Sequence, residues 1–177
     1  DAVLWDREGL MEYVMPSPRG SSMVFEMPID EWKRWLDGTG AMLGGRMEPR
    51  VSPYPRYRIP DAQRQFGMIV NPELARGAAA TYLHQGADRV VLMNFFDDRR
   101  DSAGRLLLTE GGLLHDVGSL EALAGKPRRH MVTYSDVQAP GEPPAAALPL
   151  APTTRYDGDP YFGELRIDTG PRPAGGK

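Results

Sequence analysis

Asn71-Pro-Glu-Leu-Ala-Arg-Gly-Ala-Ala-Ala-Thr-Tyr-Leu-His-Gln-Gly86 runs almost directly into Arg89-Val-Val-Leu-Met-Asn-Phe-Phe96, and this passage decides the fold. Asn71 before Pro72 predicts a helix start, because the side chain can cap orphan amides and proline tolerates the first turn. Leu74, Ala75, Ala78, Ala79, Tyr82 and Leu83 then make one apolar stripe, and Gly86 stops the helix. Val90 to Phe96 is apolar on both faces apart from Asn94, as expected of a strand buried between helices and a barrel interior. A helix returning to a new buried strand is the unit of a parallel α/β architecture.

The same order occurs upstream. Asp30-Glu-Trp-Lys-Arg-Trp-Leu-Asp-Gly-Thr-Gly40 leads into Ala41-Met-Leu-Gly-Gly-Arg-Met-Glu48. Asp30 can cap this helix; Trp32, Trp35 and Leu36 share one face and read as core, and Gly38 and Gly40 end it. Before it, Ala2 to Glu8 reads as a closing helical turn stopped by Gly9, Glu12 to Ser17 as a short strand, and Pro16 to Pro28 as a loop. Pro49 to Val70 and Asp97 to Gly118 are long stretches without periodicity. Ser119 caps a short helix through Ala124, Gly125 ends it, and His130 to Tyr134 has strand character. Val137 to Pro152, rich in Ala and Pro, reads as an extended connector. Phe162 to Ile167 alternates like a half-exposed antiparallel strand, and Thr169 to Lys177 reads as a disordered tail.

Length and composition bound the reading. A whole eight-stranded barrel needs about 250 residues, and this chain has 177. A first residue of Asp rather than Met, and an opening segment that reads as a helix end, point to a chain cut from something longer. The 20 Gly and 17 Pro predict much loop. With 21 basic against 24 acidic residues, the net charge of -3 supplies no sustained field for a polyphosphate backbone, so nucleic acid is disfavoured as partner. The lack of cysteine excludes disulfides, thiolate catalysis and cysteine-ligated zinc. No run approaches the roughly 20 apolar residues of a membrane span, and no signal sequence opens the chain; the compartment, export included, stays open.

Parallel strands gather their functional groups at one end, and in a closed (β/α) barrel the residues beyond the carboxyl ends of the strands form the active site. Glu48, Asn94, Asp97 and Asp98 are therefore the first candidates. Alternation places Gly44, Arg46 and Glu48 on one face of their strand and Leu43, Gly45 and Met47 on the other. If the apolar set packs on helices, Arg46 and Glu48 point into the interior, where they compensate one another as a structural ion pair or serve a reaction. Asn94 shares a face with Val90, Leu92 and Phe96 and is expected to look inward too. Asp97 or Asp98 could complete a two-carboxylate site with Glu48; a divalent ion on Asp97, Asp98 and Asp101 is a further alternative, although a calcium loop's glycine and terminal glutamate are missing. Tyr54 and Tyr57, interleaved with Arg50, Arg56 and Arg58, can stack on sugar rings or on bases, the alternative being a proline-stiffened surface loop. His84, His115 and His130 lack metal-binding spacing and read as structural. The glycines around positions 38 to 45 precede and interrupt a strand, whereas a phosphate cradle follows one, so no dinucleotide or other cofactor is expected.

Several segments together resemble bacterial glycoside hydrolases of the family-10-like barrel group: Glu8-Gly-Leu-Met-Glu-Tyr-Val-Met-Pro-Ser17, Met27-Pro-Ile-Asp-Glu-Trp32 with Gly38-Thr-Gly40, Arg76-Gly-Ala-Ala-Ala-Thr-Tyr-Leu-His-Gln-Gly-Ala-Asp88, and Leu92-Met-Asn-Phe-Phe96. The resemblance covers roughly residues 1 to 135. It implies an α/β chain holding the last three or four strand-helix units of a (β/α)8 barrel (1–128), the start of a β-rich C-terminal region (129–168) and the tail. It also implies a carbohydrate substrate, an oligo- or polysaccharide; joined to the strand-end positions above, this makes Glu48 and Asp97 the expected catalytic carboxylates and Arg46, Asn94, Asp98, Tyr54 and Tyr57 the expected substrate-binding groups. Three parallel strands leave an open edge, so the expected partner is a preceding half or another chain that completes the barrel. The alternatives are a non-catalytic carbohydrate-binding or structural barrel protein and a metal-dependent barrel enzyme of another class; fold alone does not arbitrate.

Overall fold

The fold, given by a computed structural model, is described for residues 2–18, 23–51, 68–95, 103–104, 112–132 and 167–172. Its centre is a parallel sheet of β1 (Tyr13–Val14), β2 (Met42–Met47) and β5 (Arg89–Leu92), in the order β1-β2-β5. The register runs Tyr13 to Met42 on one side of β2 and Gly44 to Arg89 through Met47 to Leu92 on the other. Asp88 helps to fix that register. Its N–H donates to the Leu43 carbonyl at 2.8 Å, its Oδ2 accepts from the Leu43 N–H at 2.7 Å, and its Oδ1 accepts from Lys33 Nζ at 2.8 Å. The Leu43 amide bond and Lys33 hold the Asp88 carboxyl below its usual pKa, overcoming burial, the largest single influence, which pushes it up.

α1 (Ala2–Arg7) precedes β1, and α2 (Ile29–Trp35) and α3 (Pro72–His84) precede β2 and β5. α3 is built as its sequence reads: Asn71 Oδ1 accepts from the Leu74 N–H at 2.9 Å, Pro72 opens the helix, and Gly86 follows it with φ 105°. Its buried surface is wider than the stripe, taking in Ala80 and Thr81 as well. The reason is a second layer: α4 (Leu113–Asp116) and α5 (Leu120–Leu123) pack against α3, and residues 167–172 cross it. Thr81 Oγ1 donates to the Asp168 carbonyl at 3.0 Å, Gln85 Nε2 donates to Asp168 Oδ2 at 2.9 Å, and Gly170, with φ 68°, passes so near Ala80 that a Cβ would stand 2.9 Å from its carbonyl oxygen. Asp116, nearly buried, accepts from Arg76 Nε at 3.1 Å and from Lys126 Nζ, tying α3, α4 and the turn after α5 together. A buried carboxylate is tolerable only with such partners.

Several expectations are corrected. Asp30 does not cap α2: the Pro28 carbonyl accepts the first helical bond from Trp32 at 3.1 Å, so the helix starts at Ile29, two residues earlier than a cap at Asp30 would give, and Asp30 falls in its first turn. Trp35 is exposed, whereas Leu36 is buried and Trp32 partly so. The short helix α2 turns Trp35 past the edge of the face that packs on β2. β5 ends at Leu92 and is half-buried, not covered on both faces. The stretch before α2 is core although irregular, with Met23, Val24, Phe25 and Met27 all buried and Tyr82 donating its phenol proton to the Val24 carbonyl. Within the two aperiodic stretches, β3 (Arg50–Val51) pairs antiparallel with β4 (Met68–Ile69), and α4 forms before Ser119.

His130 to Val132 form no strand; Arg129 instead donates its N–H to the Glu73 carbonyl at 3.0 Å. Residues 169–172 of the expected tail are ordered against α3 by the contacts of Asp168 and Gly170 and by Arg128 Nη2 donating to the Pro171 carbonyl at 3.1 Å. Tyr134, the connector from Val137 to Pro152 and the strand from Phe162 to Arg166 lie outside the described residues. No described helix is long and apolar enough to cross a membrane.

Candidate functional site

The two faces of β2 are told apart by its glycines. A Cβ on Gly45 would stand 2.6 Å from Tyr82 Cδ2, so the Leu43, Gly45 and Met47 side is the one packed on α3. A Cβ on Gly44 would collide with the phenol of Tyr13 from β1, so the Gly44, Arg46 and Glu48 side is the other face, as alternation predicts. Burial holds the Tyr13 phenol pKa up, against the pull of the Arg89 charge.

Glu48 follows the last residue of β2 and has no exposed surface. Two donors from different places hold it. Arg46 Nη2, from two residues earlier on the same face, makes an ion pair with Oε1. Asn94 Nδ2 stands 3.0 Å from Oε2 and 3.3 Å from Oε1. The other end of the Arg46 guanidinium donates through Nη1 to Ser17 Oγ, and Ser17 donates its hydroxyl to the Pro18 carbonyl at 3.2 Å. A continuous polar chain, Ser17–Arg46–Glu48–Asn94, therefore crosses the carboxyl ends of all three parallel strands. Its middle is buried and its two ends, Ser17 and Asn94, are exposed.

Asn94 reaches this site by a route that alternation does not give. The β5 register pairs Val90 with Gly45 and Leu92 with Met47, and both apolar residues pack against the core on the α3 side. Continued alternation would send Asn94 the same way. The strand ends instead after Leu92, and Asn94 adopts φ 57°, the left-handed conformation that asparagine tolerates better than most residues. That turn swings its amide onto Glu48.

Of the candidate residues, the structure brings Arg46, Glu48 and Asn94 together; Asp97, Asp98, Tyr54 and Tyr57 lie outside the described residues, as does Asp101. Ser17 was missed, although a polar residue just beyond a short strand, here three positions after Val14, is close to the signal that marks Glu48. The histidines stand apart from this chain. His84 and His115 are exposed, and His130 is half-buried with its ring edge-on to Phe25 at 6.3 Å and its Nδ1 3.5 Å from Thr81 Oγ1. Among the described residues, no three His, Cys, Asp or Glu side chains are grouped to hold a metal ion. No protein-family model matches the chain, and no curated protein matches its sequence.

Proposed function

We propose that this chain is part of a (β/α)-barrel glycoside hydrolase in which Glu48 is a working carboxylate and Arg46 and Asn94 are its orienting partners. One observation carries the reading: Glu48 and Asn94, at the ends of parallel strands β2 and β5, converge at 3.0 Å on one mouth of the sheet. Parallel α/β architectures place their chemistry at that end. A carboxylate held by a guanidinium and an amide is pre-positioned, and glycoside cleavage is a reaction class in which carboxylates act as proton donor and as nucleophile or base. Arg46 is largely buried and Asn94 exposed, so substrate approaches Glu48 from the Asn94 side. Asp97, three residues beyond Asn94, is the proposed second carboxylate, with Asp98, Tyr54 and Tyr57 contacting the sugar. Among the described residues β1 has a strand partner on one side only, and its other side is where the remaining strands, from a preceding segment or another chain, complete the sheet.

The complete burial of Glu48 favours a second reading, in which the chain of polar groups only clasps the strand ends of a non-catalytic carbohydrate-binding or structural protein. A screen of aryl glycosides with the protein and with Glu48→Gln separates the two. Under the enzymatic reading the variant keeps its fold and loses turnover by two orders of magnitude or more, on the scale of a lost general acid-base group. Unchanged turnover removes Glu48 from the reaction.

A further inference from the structure

The two exposed ends of the polar chain have a common chemical character. Ser17 Oγ already accepts from Arg46 and spends its own proton on the Pro18 carbonyl, which leaves an oxygen lone pair as what it can offer a ligand. Asn94 spends its NH2 group on Glu48, which leaves its carbonyl Oδ1. Between them the charges of Arg46 and Glu48 cancel in an ion pair. The described mouth thus presents acceptors at both ends and no net charge, so a ligand seated on it must bring donors and gains nothing from being an anion.

We infer that Ser17 is a further substrate-positioning residue of this site and that Ser17 and Asn94 together select a neutral, polyhydroxylated sugar over an acidic one. The inference rests on the carbohydrate reading above and narrows it. A carboxylate or phosphate oxygen placed against Ser17 Oγ or Asn94 Oδ1 would set lone pair against lone pair, whereas a sugar hydroxyl donates to either.

The test is a titration of the protein, followed by the amide resonances of Ser17 and Asn94, with a panel of neutral oligosaccharides and a panel of uronic-acid oligosaccharides. Neutral sugars are expected to shift both resonances and uronates to bind at least roughly five-fold more weakly, the value of about one hydrogen bond. Ser17→Ala should weaken the neutral ligand by a similar factor, and Ser17→Thr, which keeps an oxygen at the position, should restore binding. Equal affinity in Ser17→Ala, or preference for the uronates, overturns the inference while leaving the carbohydrate reading standing. Silence toward both panels overturns the carbohydrate reading and the inference with it. Because binding is read without turnover, a catalytically inert sugar-binding protein still reports on Ser17.

Discussion

Asn94 Nδ2 lies 3.0 Å from Glu48 Oε2 across 46 residues of sequence, and the contact depends on a backbone turn at Asn94 that reverses the side it would occupy in a continued strand. Two properties of one residue are used at once: an amide that donates to a buried carboxylate, and tolerance of positive φ. No other side chain supplies both so well, aspartate adding a second negative charge and glycine lacking the donor.

Substitution separates the two. Asn94→Gly removes the amide and keeps the conformation, so it should cost the value of a hydrogen bond to a charged group, about 2 kcal/mol. Asn94→Ala removes the amide and also forces a Cβ into the left-handed region, adding about 1 kcal/mol. Urea unfolding of the two variants should therefore place alanine below glycine, the reverse of the order in a regular strand. Alanine equal to or more stable than glycine would show that the left-handed turn is not held in solution.

The closeness of β2 to α3 makes a second, sharper expectation. Gly45 sits under the Tyr82 ring, with a hypothetical Cβ 2.6 Å from Cδ2 and 2.8 Å from Cβ and Cγ, and Tyr82 is itself fully buried and anchored through its hydroxyl to Val24. Neither partner can retreat cheaply. Gly45→Ala should cost about 1–3 kcal/mol as an overpacked core, whereas Gly40→Ala, where nothing lies within 4 Å of the added carbon, should be close to neutral. Thermal unfolding of the pair checks this, and equal melting temperatures would mean that α3 does not pack on β2 at this spacing.

What could be read from the residues alone follows the range of the forces involved. α3 was legible from Asn71, Pro72, its apolar stripe and Gly86 because caps and periodicity are local. The parallel β2 and β5 segments were legible from the helix-then-strand order, and Glu48 with Arg46 on one face because alternation is local too. The conformation of Asn94 was not, since the left-handed turn ends a strand that composition alone would have continued through Phe96. Ordering at 169–172 was equally hidden: Gly170 looks like tail chemistry until α3 supplies Thr81 and Gln85 to hold the neighbouring Asp168 and the small Ala80 to receive Gly170 itself. The absent cap at Asp30 shows the same thing in small, a favourable local option overruled by where the Pro28 carbonyl is held.

His130 ties that ordered segment and α3 to the loop before α2, and its burial gives the fold a pH dependence. Burial, with the nearby Arg128 charge, lowers the His130 pKa from its ordinary 6.5, outweighing the favourable influence of Asp168. The folded protein then binds fewer protons than the unfolded chain between the lowered value and 6.5, so stability in that window rises with pH. The contribution is fully present above the unfolded pKa and is lost as pH falls through that value toward the folded one, where the charged ring must sit against Phe25 and beside Arg128. Denaturant midpoints should therefore fall between about pH 7.5 and pH 5, and the fall should be shallower in His130→Gln, which cannot take up the proton. Carboxylates titrating lower in the range affect both proteins alike, so the difference between the two curves isolates the histidine. Parallel curves would mean that His130 is solvated in the folded state, and a wild-type curve that rises on acidification would mean that Asp168 outweighs burial.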